Sequence, residues 1–301
     1  MFLTPTWYRV WLEHFGSAGD RLLTLRDSSL QALLPLNLTE TSSGARLGLM
    51  GDPEVMDYMD GLAGRENAVE LLEQAWRVAL DTLPWRQLEL RHVPRGSQLL
   101  AALQSVIETR GIQLQIEDDE VDPVAILCST WDGYLETLDK KHRHEIRRKL
   151  RRAREGAEWS WRTVQTAEEL ERDLPIFFDL HERSAHDKAR FMTAPMRAFF
   201  RSLSAAFLDE GILRLSVFRR DGLDLAATMS FVYNNRWLLY NSGFDPQHSA
   251  HSPGIAAVAL AMQEAINERA AVFDFLSGDE SYKYHFGASN TYTVRATATA
   301  A

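Results

Sequence analysis

NSGFDPQHSAHSPGIAAVALAMQEAI, residues 241–266, runs from the end of a strand through a polar loop into a helix. Ser252 has the chemistry of an N-cap, Pro253 suits the first helical position, and Gly254 lets a ligand approach the backbone closely. The first turn carries no acidic residue, and Glu264 is the first one in the helix. Free amides and the positive end of the helix dipole therefore face the loop, which suits a phosphate or pyrophosphate. Many helices start with Pro-Gly and bind nothing, so position has to decide. Strands are expected on either side, at Arg236–Gly243 and Val272–Leu276. A strand–helix–strand unit lays its strands parallel and places the ligand crevice at their carboxyl ends.

The second of those strands opens FDFLSGDESYKYHFG, residues 273–287, which leaves it at that same edge. Asp279, Glu280, Tyr282 and Lys283 fall within five positions there. Taken alone, they read equally well as a solvated turn. Beside a phosphate-binding helix start they become candidates for chemistry.

Outward from this core, helices are expected at Leu174–Lys188 and Ala194–Asp209, the latter opened by Thr193 and Pro195 and closed by Gly211. Strands Leu213–Arg219, Leu225–Tyr233 and Arg236–Gly243 are joined by the hairpin signals Asp221-Gly222 and Asn234-Asn235, and Thr291–Thr297 adds a last strand. The first half follows the same order: strands at Leu22–Arg26, Leu30–Leu38 and Arg46–Met50, a helix at Glu66–Leu83 and a strand at Gln87–Arg91. A helix over Ser97–Thr109 and strands at Ile112–Glu117 and Val124–Cys128 complete it. No residue-level repeat is visible, so the similarity is one of pattern. The loop preceding the helix of the first half, GDPEVMDYMDG, holds Asp52, Glu54, Asp57 and Asp60, which would repel a phosphate. Binding is accordingly expected in the second half alone.

Between the halves, Trp131–Glu155 reads as one amphipathic helix capped by Ser129 or Thr130 and stopped by Gly156. Leu135, Leu138, His142, Ile146 and Leu150 form its narrow apolar row, with His142 expected to be packed in it. Residues 140–154, KKHRHEIRRKLRRAR, hold nine lysines and arginines against one glutamate in a chain of net charge −9. The bland reading is a linking helix with solvated charges, to which Asp274 and Glu280 could pair. The sharper one is a positive wall beside an anionic ligand.

Composition limits the alternatives. The 301 residues allow about two domains, drawn here as 1–129, a basic linking helix 130–156, and 157–301. No apolar run approaches the roughly 18 residues of a membrane span, and MFLTPTWYRVWLEHFG lacks a signal-peptide core, so a cytoplasmic protein is the default. Cys128 is the only cysteine, without an evident His/Asp partner, which gives no support to a disulfide, a CxxC zinc site or a covalent cysteine route. His248 and His251 flank the helix start and could meet phosphate or acceptor, but no third metal ligand is spaced to join them. P-loop, dinucleotide-binding and GxSxG signatures are absent.

Taken together, YLETLDKKHRHEIRRKLRRAREG, SGFDPQHSAHSPGIAAVALAMQEAI and FDFLSGDESYKYHFG resemble the GNAT-like acyltransferases of the BioF-like family, which includes the cellulose-biosynthesis CelD proteins and is related to the FemAB transferases. The resemblance covers about residues 130–290 well and the first half loosely. It implies an α/β (α+β) protein of two tandem GNAT-like domains, each a mixed, mostly antiparallel sheet flanked by helices, the first degenerate. It implies an N- or O-acyltransferase that moves an acyl group by direct attack from acyl-CoA or acetyl-CoA, as cosubstrate and without a metal, to an amine or hydroxyl of a small molecule or glycan. A role in polysaccharide or cell-envelope metabolism would follow. His251, Ser252, Pro253, Gly254, Ile255 and Phe244 would hold the donor. Glu280 or Asp279 would be the base, Tyr282 the acid, and Lys283 a phosphate or oxyanion partner. Helices like HERSAHDKARF (181–191) cover the acceptor side in such folds. GNAT helices often begin with a more glycine-rich turn than Ser252-Pro253-Gly254. The alternatives are a tRNA-dependent aminoacyltransferase, a donor delivered on an acyl carrier protein docked by the basic helix, and a non-catalytic scaffold. Other nucleic-acid binding is disfavoured, because no aromatics interleave the basic run.

Overall fold

The computed structural model describes residues 1–26, 30–64 and 66–300. In chain order the elements begin α1 (Pro5–Phe15), β1 (Asp20–Arg26), β2 (Leu30–Thr41), β3 (Gly44–Leu49), β4 (Leu62–Ala63), α2 (Ala68–Thr82) and β5 (Gln87–Pro94). Then come α3 (Gln98–Glu108), β6 (Gln115–Ile126), α4 (Trp131–Thr137), α5 (Lys140–Arg154), β7 (Trp159–Thr163), α6 (Ala167–Ser184), α7 (His186–Phe191) and α8 (Ala194–Asp209). The chain ends with β8 (Leu213–Arg220), β9 (Leu223–Tyr233), β10 (Arg236–Phe244), a 3-10 turn (Pro246–His251), α9 (Pro253–Asn267), β11 (Val272–Asp274), α10 (Ser281–His285) and β12 (Ser289–Thr299). Two compact units divide it: one contains Phe2–Val121 and Tyr292–Ala301, the other Asp122–Thr291 with Met1. The division falls at 121/122 and 291/292, where the sequence suggests 129/130 and 156/157, and the basic helix lies inside the second unit.

In the first unit β1, β2 and β3 form an antiparallel run, and β3 meets β5 in parallel through Arg46↔Gln87 and Leu47↔Leu88. The last strand, which the sequence order assigns to the second half, returns here: β12 pairs antiparallel with β5 from Thr293↔Pro94 to Thr299↔Gln87. α2 buries Leu72, Ala75, Trp76, Ala79 and Leu80, the i, i+3, i+4 stripe that a sheet-covering helix needs. α1 is absent from the sequence expectation, although Thr4 caps it by accepting the Trp7 N–H at 3.3 Å and Pro5 opens it.

The second unit is a meander, β7–β8–β9–β10, extended by β11 in parallel with β10. Residues Val124–Ile126 of β6 close it antiparallel to β11. Both hairpin signals act as read: Asp221, Gly222, Asn234 and Asn235 all have positive φ, the backbone that tight two-residue turns require. α9 is buried almost all round through Ala256, Ala257, Ala259, Ala261 and Ala265, whose small side chains let α5 and the sheet approach closely. α8 covers Phe231 and Tyr240 with Phe207 and Phe200, rings 5.4 and 5.6 Å apart.

The linking helix is two helices. Leu138 and Asp139 are extended, and Asp139 starts α5 afresh by accepting the His142 N–H at 2.9 Å. Leu135, Leu138, Ile146 and Leu150 are buried as expected, but His142 is only half-buried, paired to Asp139 at 2.6 Å and set against the His285 ring. β7 is a strand that the sequence pattern does not signal, and α6 begins at Ala167 rather than Leu174, with Thr166 as its cap. Pro175 lies inside α6.

Candidate functional site

The site is built by two parallel strands that part. β10 and β11 are paired only over Arg236–Leu238 and Val272–Asp274. β10 shifts register against β9 between Leu239 and Asn241, a bulge that re-aims the residues after it, and continues to Phe244. After Asp274 the chain turns away through Leu276, whose φ of 56° is stabilised when the Asp274 carboxylate accepts its N–H at 2.9 Å. The same carboxylate takes the Arg236 guanidinium at 2.7 Å, so Asp274 serves the fork rather than the basic helix.

Two cavities open from the split. One, of about 300 Å³, is lined by Phe244, Ser252, Pro253, Gly254 and Ile255, five of the six expected donor-site residues, with Lys149 of α5 beside them. The sixth, His251, lines a separate basic depression. The other cavity, about 100 Å³, is bordered by Lys188, Asn241, Glu280 and Lys283. Ser242 and Tyr282 line both and form the joint between them.

Ser252 departs from expectation. It is left-handed (φ 54°, ψ 44°), and its side chain makes no cap hydrogen bond to α9. With Pro253 supplying no N–H and no acid in the first turn, the positive end of α9 is left to whatever enters the cavity. Gly254 has a tight neighbour as well as an open face: a Cβ there would stand 3.1 Å from Cδ1 of Phe244. The preceding 3-10 turn is stapled by Asp245, which accepts the Gln247 N–H and bonds His248 at 3.0 Å and Arg183 at 2.8 Å. Desolvation pushes that carboxyl up, but these three partners together hold it below the usual range. His248 is thereby committed to Asp245.

The four residues of the 279–283 turn separate. Asp279 is exposed and borders neither cavity. Glu280 reaches the smaller cavity and pairs with Lys283 at 2.9 Å. Lys283 is 2% exposed, and its ammonium donates to the carbonyls of Leu276, Ser277 and Gly278 at 3.0, 2.7 and 2.8 Å. Three N–H donors are thus spent on three carbonyls, so Lys283 ties the turn and has none left for an oxyanion. Tyr282 packs its ring on Phe275, 6.2 Å between centroids. Burial, and secondarily Glu280, raises its phenol well above the ordinary tyrosine range, so it keeps its proton.

Residues that the sequence does not single out complete the chamber. Lys188 of α7 donates to the Ser242 carbonyl at 2.5 Å, and burial lowers its pKa against the pull of Glu280. His181 is 1% exposed and bonds Asn241 Oδ1 through Nε2 at 2.9 Å, while its Nδ1 has no hydrogen-bond partner among the described residues. Desolvation lowers His181 to about 4, so the ring is neutral, and Nε2–H donating leaves only a bare Nδ1 lone pair buried. This close fit needs Gly243, where a Cβ would come 2.2 Å from the His181 backbone nitrogen. Lys188 and Asn241 carry no motif, and only the tertiary fold brings them to the split.

On α5, charges are partly internal: Glu145 takes Arg148 at 2.8 Å and Lys149 at 3.3 Å, and Arg154 lies 4.3 Å over the Trp159 ring. Arg220 closes the helix by donating to the carbonyls of Arg152 and Ala153, both at 2.9 Å. Among the described residues no group of three or more His, Cys, Asp or Glu could hold a metal ion, and no helix is long and apolar enough to cross a membrane.

Residues 140–284 match the family model described as an acetyltransferase (GNAT) domain. No curated protein matches the sequence. Among solved structures, FemX is similar with a TM-score of 0.69 at 9% identity, covering 98% of this chain and 91% of its own. The C-terminal domain of a putative lysylphosphatidylglycerol synthetase from Agrobacterium fabrum gives 0.61 at 14%, over 93% and 83%. L-PGS from Bacillus licheniformis gives 0.58 at 11%, over 97% and 91%. At these identities the likenesses show a shared fold. The stretch matched as a GNAT acetyltransferase domain contains every residue named above as lining the split, from Lys149 to Lys283.

Proposed function

We propose that the protein is an acyltransferase that moves an acyl group from a thioester donor, acyl-CoA or acetyl-CoA, to an amine or hydroxyl acceptor by direct attack. The observation that carries this reading is the pair of cavities joined at Ser242 and Tyr282, one ending on the unneutralised start of α9 and the other holding titratable groups. The donor's arm lies in the larger cavity with its pyrophosphate toward Gly254 and Ile255, and its thioester comes to the joint.

In the transfer, the acceptor's lone pair forms a bond to the acyl carbon and the carbon–sulfur bond breaks. The proton lost by the acceptor goes to Glu280, the carboxylate of the turn that borders the chamber. Tyr282 gives its proton to the departing thiolate. Developing charge on the carbonyl oxygen falls to Lys188, because Lys283 is occupied. Assignment of the donor to the 122–291 unit, a cytoplasmic setting, and a small-molecule or glycan acceptor in the manner of the BioF-like/CelD proteins belong to the same proposal.

A tRNA-borne donor, or one on an acyl carrier protein, is the second reading. It is favoured by the basic face of α5 and by likeness in fold to FemX. Melting with and without acetyl-CoA, followed by thiol release on adding amine and hydroxyl acceptors, tests the first reading. A rise in melting temperature and acceptor-dependent thiol release are expected. No shift with any acyl-CoA would overturn it.

A further inference from the structure

The smaller cavity at the joint, about 100 Å³, admits only the reacting end of an acceptor, so the polar groups around it bear on which atom attacks. Lys188 caps the Ser242 carbonyl at 2.5 Å, and Lys283 caps the carbonyls of Leu276, Ser277 and Gly278. Four backbone oxygens are thereby taken by two ammonium groups. Glu280 is the one carboxylate among the described residues that line the chamber, and it is shared with Lys283 at 2.9 Å. The lysines feel each other: burial lowers the pKa of Lys188 and the charge of Lys283 lowers it further, against the pull of Glu280. Asn241 adds donors. Its Oδ1 is held on the α6 side by Nε2 of His181 at 2.9 Å. An amide whose oxygen is spent there presents its nitrogen, two N–H donors and no acceptor, to the chamber it lines.

We infer that the acceptor attacks through a hydroxyl oxygen, which makes the protein an O-acyltransferase, with Asn241 selecting oxygen over nitrogen and His181 positioning its amide. This rests on the reading that the thioester comes to the joint. An ammonium would bring three N–H donors and a third positive charge into a chamber that holds two ammonium groups and one carboxylate. Its free base has a single lone pair, which the Asn241 N–H would occupy when it is needed for attack. A hydroxyl enters neutral, donates its O–H to Glu280, accepts from Asn241 on one lone pair and attacks with the other. That pair forms the bond to the acyl carbon, and the carbon–sulfur bond breaks with its electrons on sulfur. The hydroxyl proton passes to Glu280 and the thiolate takes one from Tyr282. Ester and thiol leave, and the proton on Glu280 returns to Tyr282 through solvent.

Methanol and methylamine are nearly equal in size and differ in the attacking atom, so both fit the chamber whatever the natural acceptor. The whole chain is incubated with acetyl-CoA and equal amounts of the two, and products above the protein-free reaction are measured by mass spectrometry. Methyl acetate should exceed N-methylacetamide by about tenfold or more. In Asn241→Asp the ester should fall about tenfold and the preference should reverse, because a carboxylate accepts from an ammonium and donates nothing. In His181→Phe the ratio should fall toward one, while acetyl-CoA affinity by calorimetry stays within about twofold. A ratio unchanged in both variants would overturn the assignment of selection to Asn241. Excess amide from the unaltered protein, or neither product from bound acetyl-CoA, would overturn the hydroxyl acceptor and leave the thioester site standing. Absence of acetyl-CoA binding would overturn both.

Discussion

The molecule contains the same crossover twice, with opposite charge at the two helix starts. In the first unit β3, the loop after it, α2 and β5 make a parallel pair held by two residue matches; in the second, β10, its loop, α9 and β11 make one held by three. The difference lies in what meets the helix's positive end. α2 has Glu70 in its first turn, and the loop before it carries Asp52, Glu54, Asp57 and Asp60. Of these, Glu54 is exposed, while Asp60 is half-buried and accepts from Ser97 at 2.6 Å and the Gly61 N–H at 2.8 Å. α9, which like α2 starts on a left-handed residue without a side-chain cap, has no first-turn acid, and Lys149 stands beside it. One crossover carries acids before and in its helix start, and the other is, under the proposed function, the one open to an anion.

The sharpest way to break that contrast is to give α9 what α2 has. Gly254→Glu puts a carboxylate on the donor's phosphates and crowds Phe244, whose Cδ1 would stand only 3.1 Å from the new Cβ. Acetyl-CoA affinity measured by calorimetry should fall by about a hundredfold or more, since charge repulsion and lost close approach add. Gly254→Ala should cost far less, and equal losses in the two variants would show that space alone matters. Next in size is Tyr282→Phe, which removes the proposed proton donor and keeps the ring on Phe275. Turnover should drop about a hundredfold with donor affinity unchanged, a kcat loss without a Kd loss. An unchanged kcat would return Tyr282 to a packing role.

How much of this is legible in the sequence follows from where the signals are local. The α9 start, the hairpin turns and the α8 boundaries are written in single residues, Pro253, Asp221-Gly222 and Thr193, and the structure places them as read. Breaks are harder. Leu138-Asp139 interrupts a seamless amphipathic row, because an Asp cap mid-pattern looks like one more polar residue. Pro175 draws the expected start of α6 too late, although Thr166 and its acidic first turn mark it. The return of β12 to the first sheet is a long-range pairing with no local trace. Composition singles out the 279–283 turn but does not show that the donors of Lys283 are consumed by carbonyls, nor that Lys188 of a distant helix borders the same cavity.

The two units also differ in how buried titratable groups respond to pH. Asp60 in the first is raised by desolvation to about 6, and its neutral form is the one the fold prefers. Its contribution is therefore full below the unfolded value near 3.8 and is lost as pH rises through 6. His181 in the second is lowered to about 4, also in favour of the neutral form, so stability is lost as pH falls from the unfolded 6.5 through 4. Asp60→Asn keeps an acceptor oxygen for both Ser97 and Gly61. It should raise stability at pH 8 by about 1–3 kcal/mol in denaturant unfolding, and the gain should vanish near pH 4. A gain independent of pH would mean that ionisation of Asp60 is not what the fold opposes.

The smallest expected effect tests whether the comparison runs both ways. Glu70→Gln removes the first-turn acid from α2 but leaves Asp52, Glu54, Asp57 and Asp60 in the loop before it. Loss of one exposed helix–charge interaction should lower stability by about half a kcal/mol, less at high salt, by urea unfolding. It should create no acetyl-CoA site, because an anion approaching α2 would still meet the loop's carboxylates, and no lysine corresponding to Lys149 lies there among the residues this crossover contributes. Thioester binding that survived Gly254→Glu and disappeared with charge reversal of the α2 region would place the donor in the first unit. The neutralised crossover would then be the working one, and the open end of α9 a vestige.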